Sequence, residues 1–138
     1  MIVIREIDHV VIRVAELDRS LEFYCDVLGC RVERRDDDIG LVQLRAGRSL
    51  IDLVPVDSQL GRKGGDVPDR RRANMDHFCV RIEPFDGPAI QRFLESHGVE
   101  AGPIESRNGA EGVGPSIYIQ DPDGNTVELK GPPYRGPD

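Results

Sequence analysis

The chain carries one segment twice. Residues 7–14 read IDHVVIRV and residues 75–82 read MDHFCVRI, so an Asp-His pair sits near the start of each, and an arginine follows each histidine by four positions: His9/Arg13 and His77/Arg81. A later element is echoed too, with Asp52 in RSLIDLVPV answered by Glu128 in GNTVELKGP. Internal repetition fixes architecture before any single residue is interpreted, because each repeat is one supersecondary unit that needs a neighbour to bury its apolar face. At 138 residues the chain amounts to one domain's worth of core, which two repeats must share. The expected layout is a single domain over 1–138, with repeats at about 5–56 and 75–131 and a polar, Gly/Arg-rich linker over 57–74.

Each repeat reads as βαβββ. Ile7 to Val14 is rich in β-branched residues and places Ile7, His9, Val11 and Arg13 on one face, opposite Asp8, Val10, Ile12 and Val14. Leu17, Leu21, Tyr24 and Leu28 then recur at helical spacing behind Asp18 as N-cap, with Gly29 closing the helix. Strands follow at 31–35, 40–44 and 49–54, the last two joined by a turn at Ala46-Gly47-Arg48. The second repeat predicts a strand over 75–82, then a helix capped by Asp86 with Ile90, Phe93 and Leu94 inward and Gly98 at its end. Strands near Glu100, at 116–120 and at 125–130 complete it, with Asp121-Pro122-Asp123-Gly124 as a hairpin turn. From histidine to carboxylate the second repeat is eight residues longer, and the excess falls in the Gly-rich stretch 102–114. The tail PPYRGPD is expected to fray.

Composition narrows the partners. A net charge of −7 and a pI near 5.0 argue against nucleic acid or an anionic membrane and leave a small-molecule ligand or a metal. The one basic cluster, Arg70-Arg71-Arg72, reads as solvated loop. Cys25, Cys30 and Cys79 cannot pair completely and have no CxxC spacing, which fits a reducing, cytoplasmic location and packing roles; Cys79 alone shares the His77 strand face. Charge at Arg5 and Glu6 interrupts the N-terminal apolar run before it reaches signal-peptide or spanning length. His97, beside Gly98, reads as a helix-end dipole partner.

The chemistry lies in the repeated pairs. Each repeat supplies one histidine early and one carboxylate late, and imidazole nitrogen with carboxylate oxygen suits a divalent Zn, Ni, Mn, Co or Fe ion in a site that keeps positions open. If the two units pack about a pseudo-twofold axis into one curved sheet, His9, Asp52, His77 and Glu128 can converge.

These segments, with FYCDVLGCRV and YIQDPDGNTVEL, resemble the vicinal oxygen chelate superfamily, which includes glyoxalase I, extradiol dioxygenases, fosfomycin-resistance and bleomycin-binding proteins. The resemblance runs over nearly all of 5–131. It implies an α+β fold of paired βαβββ modules forming a curved, cup-like mixed sheet, with His9, Asp52, His77 and Glu128 as metal ligands at its base. For a glyoxalase I-like isomerase or lyase it implies Glu128 and Asp52 as the catalytic carboxylates. Arg13 then resembles the arginine that holds a carboxylate of glutathione, the thiol cofactor of that enzyme, and Arg81 and Tyr118 join it as substrate-binding residues. Asp52 stands where glyoxalase I has glutamate or glutamine. An extradiol dioxygenase would use His9, His77 and Glu128 as an iron or manganese triad, although 107–114 reads RNGAEGVG where that family has a histidine. A non-catalytic drug- or metabolite-binding protein of the bleomycin-resistance type would need an aromatic groove, and the chain holds four Phe, three Tyr and no Trp. Members pair modules within one chain or between two, and a chain this short implies a homodimer.

Overall fold

The computed structural model describes residues 1–134, so the last four residues of the tail lie outside the described residues. Two compact units divide the chain, Met1–Arg72 and Ala73–Asp138, each a βαβββ module of the expected α+β kind. No helix among the described residues is long and apolar enough to cross a membrane.

In the first unit, β1 (His9–Val14) leads through α1 (Leu17–Leu21) to β2 (Arg31–Asp36), β3 (Leu41–Ala46) and β4 (Ser49–Pro55), in sheet order β1-β4-β3-β2. β1 runs parallel to β4, whereas β3 is antiparallel to both β4 and β2. Register pairs Val10 with Ile51, Ile12 and Val42 with Leu53, and Leu44 with Ile51, so these residues share one face. Most are buried, Leu44 and Leu53 completely, and this face is the unit's core.

The helix departs from the expected spacing. Glu16, not Asp18, occupies the N-cap, and Asp18 falls in the first turn, where a negative charge favours the helix dipole. After Leu21 the helix widens into a π-turn over Glu22–Val27, marked by the Leu28 amide donating to the Phe23 carbonyl five residues back. The extra residue per turn rotates the inward stripe, so Ser20, Phe23 and Tyr24 are buried while Leu21 and Leu28 are only half-buried. Phe23 and Tyr24 meet edge to face at 4.9 Å.

The second unit repeats the plan with β5 (His77–Arg81), α2 (Gly87–Ser96), β6 (Glu105–Arg107), β7 (Gly114–Gln120) and β8 (Thr126–Lys130), in order β5-β8-β7-β6. The Asp86 carboxylate caps α2 by accepting from the Ala89 amide at 3.1 Å. Leu94 points inward at 1 % exposure, but Phe93 is 45 % exposed and lies against the His97 ring. β6 starts at Glu105, five residues later than expected, inside the Gly-rich stretch; ahead of it only the Gly102 amide reaches the Tyr118 carbonyl. The β7–β8 turn forms as its sequence dictates: Asp121 accepts from the amides of Asp123 and Asn125, and Gly124 takes a φ of +83°. In the linker stretch, Gly61–Gly64 and Arg70–Arg72 form short 3-10 turns.

Replacing a fully buried side chain on either apolar face by alanine, Leu44→Ala or Ile117→Ala, is expected to lower the unfolding free energy by about 2–5 kcal/mol. Val32→Ala, on an exposed edge position, is expected to change it by no more than about 0.5 kcal/mol, and urea denaturation checks both.

Candidate functional site

Opposite the apolar face of each sheet lies a polar one. In the first unit it carries His9, Val11 and Arg13 from β1, Asp52 from β4 beside Val11, and Gln43 from β3 directly across from Asp52. Asp52 is 3 % exposed. Its Oδ2 accepts from Gln43 Nε2 at 3.2 Å, but its buried Oδ1 has no hydrogen-bond partner among the described residues. A buried anionic oxygen without a donor is costly, and a bound cation is the usual remedy. The His9 Nδ1 sits 2.7 Å from Asp8 Oδ2, and this bond raises the imidazole's pKa above its ordinary value; partial burial opposes the rise and the Asp52 charge adds to it.

In the second unit the polar face carries His77, Cys79 and Arg81 from β5, Glu128 and Lys130 from β8, and Ser116 and Tyr118 from β7. Glu128 is 4 % exposed and both its oxygens are engaged: Oε1 lies 3.2 Å from His77 Nε2, and Oε2 accepts from the Ser116 hydroxyl at 3.0 Å. Ser116 in turn accepts from Arg107, whose guanidinium lies 3.9 Å over the Tyr118 ring. Tyr118 meets the His77 ring edge-on at 5.3 Å. Desolvation, and then the Glu128 charge beside it, push the thiol of the exposed Cys79 up to about 11, so in the metal-free protein it is protonated at neutral pH.

The spacing of the His77–Glu128 pair suits a divalent ion. Like His9, His77 has its Nδ1 2.7 Å from the carboxylate of the preceding aspartate, Asp76. A neutral imidazole has one N–H; with that proton on Nδ1, the Nε2 lone pair faces outward, which is how a carboxylate behind the ring orients a metal-binding histidine. In His77 that lone pair then faces the Glu128 Oε1 lone pairs at 3.2 Å, a contact that either a bound cation or a proton on Nε2 reconciles. Two ligands bound at about 2.0–2.2 Å around a tetrahedral ion lie about 3.3 Å apart, close to the spacing seen. Among the described residues no three His, Cys, Asp or Glu side chains gather into a metal cluster. The candidate ligands come as two pairs, His9 with Asp52 and His77 with Glu128, one from each unit.

The two arginines differ. Arg13 donates from Nε to the Gly61 carbonyl, from Nη1 to those of Gly64 and Asp66, and from Nη2 to that of Gly65. It therefore pins the Gly61–Asp66 segment, and a Cβ at Gly64 would fall 2.3 Å from its Nε. Arg81 meets carboxylates, Glu111 at 2.8 Å and Glu83 at 3.7 Å, and donates from Nη1 to the Ile82 carbonyl at 2.9 Å. Four residues of these faces escaped the sequence reading: Gln43, Arg107, Ser116 and Lys130. A signal for Gln43 was present, since the tight Ala46–Ser49 turn fixes the register that sets it opposite Asp52.

Fold and site together define a protein of paired βαβββ units with repeat-related His/carboxylate pairs. The family model described as "Glyoxalase/Bleomycin resistance protein/Dioxygenase superfamily" matches residues 6–129, and the chain belongs to this superfamily. A probable lactoylglutathione lyase of Synechocystis sp. is 55% identical over 128 residues, covering 88% of this chain and 91% of that protein. A catechol-2,3-dioxygenase of Bacillus subtilis is 30% identical over 118 residues; the match covers 84% of this chain but only 38% of the dioxygenase. A solved structure from the mobile metagenome of V. Pseudocholerae superposes with a TM-score of 0.75 at 25% identity, covering 99% of both chains.

The unpartnered Asp52 Oδ1 makes a prediction about stability. In metal-free protein, Asp52→Asn is expected to raise the unfolding free energy by about 1–3 kcal/mol, because the amide oxygen keeps the Gln43 bond while the uncompensated buried charge is removed. Urea denaturation measures it, and a variant no more stable than wild type would mean that the Oδ1 charge is already compensated.

Proposed function

We propose that this protein is a divalent-metal-dependent enzyme of the glyoxalase type, an isomerase or lyase of the lactoylglutathione lyase kind acting on a small oxygenated substrate. The observation that carries this reading is the His/carboxylate pair repeated on the polar face of each sheet, with each Nδ1 hydrogen-bonded to a neighbouring aspartate. The name of the 55% identical Synechocystis relative supports the same direction. In this reading His9, Asp52, His77 and Glu128 hold the ion. When bound, the ion supplies Lewis-acid polarisation of adjacent substrate oxygens.

The rest is done by side chains. Glu128 and Asp52 accept and return the proton that moves between neighbouring substrate carbons. Ser116 holds Glu128 in place through Oε2, while Asp52 keeps Oδ1 free of any donor. Arg81 and Tyr118 border Glu128 and orient the substrate. Arg13, engaged with main-chain carbonyls, shapes the wall of the site by fixing the Gly61–Asp66 segment. A glutathione hemithioacetal is the first substrate to assay, and a cytoplasmic homodimer is the form in which the enzyme is expected to work. A second reading, an extradiol dioxygenase using His9, His77 and Glu128 on iron, is favoured by the Bacillus relative.

Elemental analysis of the purified protein tests both. One equivalent of Ni, Zn, Mn or Co per chain, lost in His77→Ala, is expected, together with hemithioacetal isomerisation that falls by about 10²–10⁴-fold in Glu128→Gln. Iron with ring-cleaving activity would promote the second reading. Protein that takes up no ion after incubation with each would overturn both.

A further inference from the structure

On the polar face of the second sheet, two cations stand side by side. Lys130 pairs in register with Arg81 and is 5 % exposed. Its ammonium donates to the Gly112 carbonyl at 2.9 Å, and among the described residues no carboxylate forms an ion pair with it. A neutral carbonyl fills one of three donors and cancels none of the charge, which burial makes expensive. The loop is shaped around this lysine: a Cβ at Gly109 would fall 2.8 Å from Lys130 Cε, and one at Gly114 3.1 Å from Nζ.

Arg81 adds a second cation, and its partners are displaceable. Glu111 and Glu83 have side chains 50% and 71% exposed, and exposed ion pairs hold weakly. Arg81 also donates from Nη1 to the Ile82 carbonyl at 2.9 Å, but its Nε ends on Glu111, whereas every donor bond of its repeat equivalent Arg13 ends on a backbone carbonyl. Glu111 belongs to the Gly-rich stretch by which the second repeat exceeds the first. That stretch therefore lays one carboxylate and one carbonyl over two cations, in a chain whose net charge is −7.

We propose that Arg81 and Lys130 form a recognition subsite for a small organic carboxylate, the anionic end of the substrate, and that Glu111 occupies it until that carboxylate displaces it. Assignment to the substrate rests on Glu128, two residues before Lys130 on the same strand face, being a residue of the active site proposed above. An incoming carboxylate can take the Glu111 position on Arg81 as a two-oxygen acceptor, a geometry that guanidinium favours. The buried Lys130 charge strengthens the attraction without needing to move.

Malonate titrated into chelator-treated, metal-free protein at fixed ionic strength, followed by calorimetry, tests this. Saturable binding is expected, about three- to fivefold tighter in Glu111→Gln, because the internal competitor is gone, and at least about tenfold weaker in Arg81→Gln. Glu111→Gln alters only an exposed loop side chain, so it keeps the test decisive if Arg81→Gln folds poorly. Heats no larger than those of matched chloride, or a malonate affinity unchanged in Glu111→Gln, would overturn the subsite. Metal content, measured separately, distinguishes the two readings: failure to bind malonate by protein that retains its metal sinks the subsite alone, and malonate binding by protein that takes up no metal sinks the metal reading alone.

Discussion

The parallel pairing of the first and last strands of each unit, β1 with β4 and β5 with β8, is the constraint on which the rest depends. It brings the early histidine and the late carboxylate, far apart in the chain, onto one face of one sheet. Because side chains alternate at every residue, a slip of a single residue would send Asp52 or Glu128 into the apolar face and a leucine or valine onto the polar one. The apolar faces guard against that slip. Leu53 and Leu129, each next to a carboxylate, are almost wholly buried, so the hydrophobic burial that folds each unit also aims its polar face.

Repetition builds the two faces from one plan, and they have since diverged. Glu128 has His77 Nε2 against one oxygen and the Ser116 hydroxyl on the other, whereas among the described residues Asp52 has Gln43 on one oxygen and no donor on the other. Arg13 has become a structural fastener for the Gly61–Asp66 segment, and Arg81 remains paired with exposed carboxylates. The same arginine position thus fixes backbone in one unit and keeps a displaceable partner in the other.

Much of this could be read from the sequence, for physical reasons. Period-two alternation in β1 and β5 carries their faces, and the short turns at 46–49 and 121–124 join β3 to β4 and β7 to β8, but the parallel pairing of β1 with β4 and of β5 with β8 has no local signal. The π-turn after Leu21 could not be read, because spacing arguments assume 3.6 residues per turn and the widening is settled by how Phe23 and Tyr24 pack. β6 hid inside a Gly-rich stretch because three residues of pairing leave no periodic signal. At the site, the histidines and carboxylates announced themselves through repetition. Ser116, Arg107 and Lys130 have no such echo, and only the geometry of β7, β8 and the Asn108–Gly114 segment gives them a role.

X-ray absorption at the metal edge of the cobalt-loaded protein tests the central claim most directly, that repeated His/carboxylate pairs and not the nearby thiol bind the ion. The account predicts a first shell of nitrogen and oxygen alone at about 2.0–2.2 Å, with multiple scattering from two imidazoles. A sulfur scatterer at about 2.3 Å would place Cys79 in the shell and contradict it, as would a shell with no imidazole.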